Sequence, residues 1–173
     1  DPITYANDAA YAQDSLQYSI MSYFDAYETG AQYVDWSLLN FAYPATPQVH
    51  DVAGIQRIYG ADTTTRTGDT VYGFNSTADR DAFDFEINTR PIVTIWDAGG
   101  NDTLDFSGWD TNSVIDLNAG GFSSGGGIDE FLTLAEVNAN RVALGFAPRS
   151  AATFAFYENL KAQLGLENGL FHD

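Results

Sequence analysis

Apolar residues in the first 46 positions follow no sustained period. Tyr5, Tyr11, Tyr18, Tyr23, Phe24, Tyr27, Tyr33, Trp36, Phe41 and Tyr43 punctuate a polar background. That pattern predicts turns and irregular chain, with one brief helix near 9–14. Over 47–59 the period becomes helical: Val49, Val52, Ile55 and Ile58 recur at intervals of three with Tyr59 beside them, which defines one apolar face. Thr46 is placed to cap this helix, Pro47 suits its first position, and Gly60 its stop. Short apolar runs follow at 70–74, 82–85, 91–96, 103–106 and 113–117, each bounded by Gly, Asp or Asn. Their spacing of roughly ten residues predicts a β-sandwich or a stacked β-roll. Gly120-Gly121 and Gly125-Gly126-Gly127 then mark a flexible loop. Beyond it, Thr133-Leu134-Ala135-Glu136 is a capping box that opens a helix to about residue 144. Ser150 caps another, ending near Leu164 before Gly165, with Phe154, Tyr157, Leu160 and Leu164 on one face. Arg141, Arg149 and Lys161 read as isolated charges on solvated faces, and Asn168-Gly169 as a turn near the end.

Charge narrows what such a chain can do. Its 173 residues carry 24 acidic side chains against 7 basic, a formal net charge of −17. With 45% hydrophobic residues, a sizeable core is available and intrinsic disorder is excluded. Seven scattered cations cannot neutralise a run of phosphates, so nucleic acid is an improbable partner, and anionic membranes repel the chain. Acidity of this kind suits a hard divalent cation, which binds carboxylate oxygens. There is no cysteine, hence no disulfide and no thiolate metal site. A cysteine-free, Asp- and Gly-rich chain is compatible with bacterial export, with calcium as the staple. No apolar run approaches the roughly 18–20 residues that cross a membrane. Asp1-Pro2-Ile3-Thr4 has neither the basic nor the apolar region of a signal peptide and no initiator Met, which predicts processing or an internal fragment.

Two loops carry the chemistry of that cation. Asp97-Ala98-Gly99-Gly100-Asn101-Asp102 sets carboxylates and glycine carbonyls within one turn. An Asp- and Gly-rich turn between strands is the ordinary meaning of such a hexapeptide. Calcium takes about six to eight oxygens, and this turn offers about four, so a second loop is required. Arg66-Thr67-Gly68-Asp69-Thr70 supplies one, since alternate carbonyls of an extended segment point to one side.

The chain's single methionine sits in Ser19-Ile20-Met21-Ser22-Tyr23-Phe24. A gap-filling core methionine is the plain reading of an isolated hexapeptide. The alternative is the Met-turn of the metzincins, the hydrophobic floor of a zinc site. Its surroundings favour the second. Segments 3–6 and 17–23, 50–61, 65–76 and 96–108 resemble the serralysin family in family order, and the resemblance covers roughly residues 1–125. In that family the tyrosine two residues after the methionine reaches the catalytic zinc, which corresponds here to Tyr23, with Met21 as the floor. Zinc makes its bound water nucleophilic and a glutamate acts as base. The resemblance also implies one calcium shared by the positions Arg66, Gly68, Thr70, Asp97, Gly99 and Asp102. A neighbouring calcium would use Gly100 and Asp102 with a later Thr-x-Glu that this chain does not supply, since Thr133 and Glu136 have the wrong spacing. The zinc helix His-Glu-x-x-His is absent: His50 and His172 are the two histidines. His50 reads as a structural residue beside Asp51.

These readings combine into an α+β expectation. Residues 1–62 are the lower part of a metzincin protease domain, 63–127 the start of a calcium-bound β-sandwich or β-roll domain, and 128–173 a helical insertion that packs on the β segment or contacts another piece of the protein. The expected function is a share in a secreted, extracellular zinc- and calcium-dependent metalloendopeptidase acting on proteins or peptides. The zinc helix would come from another chain or segment, and this chain alone would be inactive. The competing expectation is a non-catalytic calcium-binding structural or secretion module.

Overall fold

The structure, a computed structural model, describes residues 2–127 and 130–166. In chain order its elements are helix α1 (Tyr5–Asp8), strands β1 (Val34–Asp35) and β2 (Asn40–Phe41), helix α2 (Val49–Tyr59), strands β3 (Val71–Gly73) and β4 (Thr103–Asp105), and helices α3 (Leu134–Ala143) and α4 (Ala151–Gln163). The class is α+β. β1 and β2 pair antiparallel, β3 and β4 parallel. Contacts divide the described chain into two compact units. The first joins residues 2–31 to Tyr43–Gly108, and the second joins Gln32–Ala42 to the residues from 109 onward.

In the first unit, the expected helix near 9–14 lies earlier, at Tyr5–Asp8. Asp8 takes the Thr4 amide at 2.8 Å and opens that turn. Residues 10–14 instead close a loop in which Asp14 accepts the Ala10 amide at 2.9 Å. Helix α2 starts two residues later than its sequence pattern suggests, and Gln48, not Thr46, is its cap. The Asp51 carboxylate accepts the Gln48 amide at 2.8 Å, and the Gln48 side chain donates to the Thr46 carbonyl at 2.9 Å. Thr46 serves elsewhere: its hydroxyl accepts the Thr94 amide at 2.8 Å. Gly60 stops the helix at φ 86°. The later part of the apolar stripe of α2 faces outward, with Ile55, Ile58 and Tyr59 at 57%, 70% and 80% exposure, while Val49 and Val52 are half-buried. Periodicity finds the stripe but cannot say what covers it.

Of the five expected strands, two form a ladder. Val71–Gly73 and Thr103–Asp105 pair in register Val71↔Thr103. The run at 82–85 is mostly a 3₁₀ turn, Asp81–Phe83, after which the Phe85 amide reaches the Gly73 carbonyl at 3.1 Å. The run at 91–96 is extended and docks on 45–46, with Ala45 donating to the Ile92 carbonyl at 2.9 Å. The run at 113–117 makes one isolated bridge, Val114 to Ser124. Around the ladder, Tyr72, Ala78 and Phe83 are buried together, with Val93, Ile95 and Leu104 packed against them.

The second unit is built on the β1–β2 hairpin, which lies within a stretch that the sequence pattern leaves irregular. Its aromatic residues supply the core. Trp36 meets Phe131 and Tyr157 edge-on at 5.3 and 6.2 Å, and Phe41 lies 5.6 Å from Tyr157. Val137, Tyr157 and Leu160 of the two helices are buried there. Both helix starts match their sequence signals. Thr133 accepts the Glu136 amide while Glu136 returns a bond to the Thr133 amide, and Ser150 accepts the Thr153 amide.

Arg141 and Arg149 overturn the solvated-face reading. Arg141 is buried and donates to the Leu38 and Ala147 carbonyls at 2.7 and 2.6 Å and to Asn40 Oδ1 at 2.9 Å. Arg149 donates to the Leu39 carbonyl at 2.8 Å. Together they clasp a turn in which Leu39 holds φ 50°, an αL conformation that a non-glycine residue keeps only when its surroundings fix it. Burial and the neighbouring Arg149 charge push Arg141 below its ordinary pKa. Lys161 also has partners, pairing with Glu158 at 2.8 Å and lying 4.4 Å from the Phe131 ring centre. The glycine cluster is packed rather than loose at Gly126: at φ 69°, a Cβ there would lie 2.4 Å from the Trp109 ring. The Asn168-Gly169 turn signal lies outside the described residues.

Candidate functional site

Residues 19–22 form a tight turn, closed by the Ser22 amide on the Ser19 carbonyl at 3.3 Å. One carboxylate fixes it to α2. Asp51 Oδ1 accepts the Ser19 hydroxyl at 2.7 Å, and Oδ2 accepts the Ile20 amide at 2.9 Å as well as the Gln48 amide. The His50 amide adds a bond to the Tyr18 carbonyl at 2.9 Å. His50 itself lies 5.0 Å from the Tyr18 ring centre and 3.4 Å from the Tyr11 hydroxyl, a packing role as its sequence position suggests. The start of α2 and the turn are thereby one rigid piece. Met21 and Tyr23 project from it into solvent, at 76% and 94% exposure.

Among the described residues no three His, Asp or Glu side chains gather as a metal site. Sequence reasoning missed Asp51 as the residue that holds the turn. Its position as the third residue of α2, behind a polar cap, was the available signal.

The two Asp- and Gly-bearing loops come together through the parallel ladder. Parallel strands begin at the same end, so the segments that lead into β3 and β4 must lie side by side. The Thr103 amide meets the Thr70 carbonyl at 2.8 Å and the Ala98 amide meets the Thr65 carbonyl at 3.0 Å. Each loop also holds the other through a carboxylate: Asp102 Oδ1 accepts the Thr70 amide at 2.9 Å, and Asp69 Oδ1 accepts the Asn101 amide at 2.8 Å. Gly100, at φ 128°, comes so close that a Cβ would sit 2.5 Å from the Gly68 carbonyl oxygen. Only glycine fits such a cradle.

Arg66, Gly68, Thr70, Asp97, Gly99, Gly100 and Asp102 thus lie on two interlocked loops. The Thr70 carbonyl accepts the Thr103 amide in the ladder and keeps a second lone pair, and the Thr70 hydroxyl donates to the Gly68 carbonyl at 3.0 Å. Asp97 is held at both ends, by the Gly99 amide at 2.9 Å on Oδ1 and the Tyr72 hydroxyl at 2.5 Å on Oδ2. Burial works to raise the Asp97 carboxyl, but the bonds from Tyr72 and Gly99 and the Arg66 charge outweigh it and hold it below the ordinary range. Burial, and then the bond to Asp97, pushes the Tyr72 phenol up to about 12. An ionised carboxylate keeps about four acceptor sites, so these bonds leave both Asp97 and Asp102 able to face a cation. The donors are all hard oxygens, which fits calcium.

The fold and these loops define an acidic α+β chain suited to a hard divalent cation. A family model for the peptidase M10 serralysin C-terminal region matches residues 61–146. Serralysin C of Dickeya chrysanthemi is 50% identical over 130 residues, 75% of this chain and 26% of that relative. Serralysin of Proteus mirabilis is 48% identical over 127 residues, 73% of this chain and 25% of the relative. Metalloprotease AprA of Pseudomonas entomophila (strain L48) is 48% identical over 122 residues, 70% and 25% respectively. The chain belongs to the serralysin family, and it spans about a quarter of the length of the curated relatives it matches.

Proposed function

We propose that this chain is part of a secreted zinc- and calcium-dependent endopeptidase that hydrolyses peptide bonds in proteins. Within it, the turn at 19–22 is the Met-turn, Met21 is the floor of the zinc site and Tyr23 its tyrosine. A segment carrying the zinc helix would cover the turn. The observation that carries this reading is the contrast at the turn: its backbone is fixed by Asp51, yet Met21 and Tyr23 are among the most exposed large side chains. A rigid support with exposed apolar side chains marks a surface built to be covered. The outward stripe of α2 is a second such surface. One relative named a metalloprotease supports the reading.

When bound, zinc would supply a nucleophilic water and polarise the carbonyl. Tyr23 would place a phenol donor beside the oxygen that gains charge. Calcium would be held by Asp97, Asp102, Gly99 and the loop oxygens of Arg66, Gly68 and Thr70, with Gly100 beside them, at the start of the family's β domain.

The test is zinc content and casein hydrolysis by the full-length protein, with Tyr23→Phe alongside. One zinc per molecule and a kcat lower by about 10²-fold in the variant are expected, from the loss of one oxyanion donor. Calcium binding without zinc and without casein hydrolysis would leave the structural-module reading in its place.

A further inference from the structure

We propose that Tyr72 is a positioning residue of the calcium loops: with Arg66 behind it, its hydroxyl sets the direction in which the Asp97 carboxylate faces. The inference rests on the calcium reading above and adds a residue that donates no oxygen to the ion.

Tyr72 lies on β3, and its ring is buried in the first unit's core, 5.4 Å from Phe83 and edge-on to it. The hydroxyl emerges between the two loops. There it donates to Asp97 Oδ2 at 2.5 Å and accepts from Arg66 Nε at 2.7 Å. Arg66 is itself braced. Its guanidinium lies 5.1 Å from the Phe83 ring centre, and its Nη2 donates to the Trp96 carbonyl, the residue before Asp97. The first loop therefore grips the second at 96 and 97 through one side chain and its phenol partner.

The chemistry follows from the torsion that Asp97 would otherwise be free to explore. The carboxylate torsion of Asp is broad and roughly two-fold, so an unheld carboxylate samples orientations that do not serve the ion. Here the Gly99 amide holds one oxygen and the Tyr72 hydroxyl the other. The plane of the carboxylate is fixed before any cation arrives, and the Arg66 charge behind the phenol strengthens its donation. Groups that orient a metal's ligands typically change affinity by about 10–100-fold when removed.

Calorimetric calcium titration of the chain, with the thermal midpoint of the calcium-free protein measured alongside, tests this. Tyr72→Phe keeps the ring and removes the hydroxyl, and it is expected to weaken calcium binding about 10-fold or more. Val93→Ala loosens the same core but leaves the hydroxyl and the ring that braces Arg66. It should lower the calcium-free midpoint while affinity stays within about two-fold of wild type, a split that a merely structural role for Tyr72 would not produce. Arg66→Lys keeps the main-chain oxygen and the charge but loses the Nε donor, and a smaller loss of affinity is expected. That variant carries the test if Tyr72→Phe does not fold. Affinity unchanged in the folded Tyr72 variant, or in Arg66→Lys where only that variant folds, overturns the proposal, as does an equal loss in Val93→Ala. Absence of calcium binding by the wild-type chain would instead overturn the calcium reading itself.

Discussion

Both units are tied by charged side chains bonded to the main chain, most of them across long gaps in sequence, and these long-range ties differ in sign apart from Arg66 on the Trp96 carbonyl in the first unit. In the first unit carboxylates accept amides: Asp51 from Ile20 and Gln48, Asp102 from Thr70, Asp69 from Asn101. In the second unit guanidinium groups donate to carbonyls: Arg141 to Leu38 and Ala147, Arg149 to Leu39. The difference has a chemical consequence. A carboxylate that takes one amide still has acceptor sites for a cation, whereas a guanidinium has no acceptor site at all. A cation can therefore reinforce ties of the first kind and not those of the second.

The largest effect is expected where the clasp is most buried. Arg141→Ala leaves the Leu38 and Ala147 carbonyls without their charged donor, in a turn that already holds Leu39 at φ 50°. A loss of about 3 kcal/mol is expected, read as faster amide exchange in α3 and α4. Lysine at 141 should recover little, since a point charge cannot reproduce the fork. If exchange rises equally in the first unit, the two clasps are not independent.

Calcium removal is the converse experiment. At about 100 times its dissociation constant, a ligand adds about 2.7 kcal/mol to the state that binds it. Chelation should lower the thermal midpoint of the first unit and leave amide exchange in α3 and α4 unchanged. Asp102→Ala and Asp69→Ala refine the result. Both remove an amide acceptor, and both should lower the calcium-free midpoint by a similar amount. Only Asp102→Ala should also abolish the calcium increment. Equal calcium increments in the two variants would mean that Asp102 does no more than Asp69 does.

Asp51→Ala comes next, at about 2 kcal/mol, since it removes the acceptor of the Gln48 cap amide and two bonds to the turn at once. The expected signature is fast exchange at Ile20 and Gln48, with the calcium loops undisturbed. Protection retained at Ile20 would show that the turn stands without its carboxylate.

What the sequence made legible follows from the range of the forces involved. Local signals located the helices well: the Thr133–Glu136 box and the Ser150 cap set the starts of α3 and α4 as expected. The pairing of the two Asp- and Gly-bearing loops was likewise readable. What the pattern could not reveal was reach. The burial of Arg141 depends on carbonyls 103 residues away, and no local window contains that information. The β1–β2 hairpin was missed because its strands are two residues each, too short for alternation to register. The run at 91–96 looked like a strand because it is apolar and extended, yet it docks on 45–46 through two bonds and builds no ladder. The stripe of α2 was legible as a face, while its exposure depends on what lies against it.

The smallest effect concerns acid, and it sharpens the contrast of sign. In the first unit, Asp62 is held down to about 2 by bonds from Thr65 and Thr64, Asp105 below the ordinary range by Ser107 and Asn75, and Asp97 likewise once its bonds overcome burial. In the second, Glu136 is held down by Thr133. A carboxyl whose folded pKa is depressed contributes stability that is fully present above its unfolded value, about 4, and is lost as pH falls through the folded value. Guanidinium groups as a class stay charged throughout this range. Lowering the pH from 7 to about 3 should therefore weaken the first unit more than the second, read as amide exchange in β3 and β4 against α3 and α4. Glu136→Gln should flatten the small acid response of α3 while leaving that of the first unit intact. Equal acid sensitivity in the two units would mean that the carboxylate bonds of the first are no more important to it than the capping box is to the second.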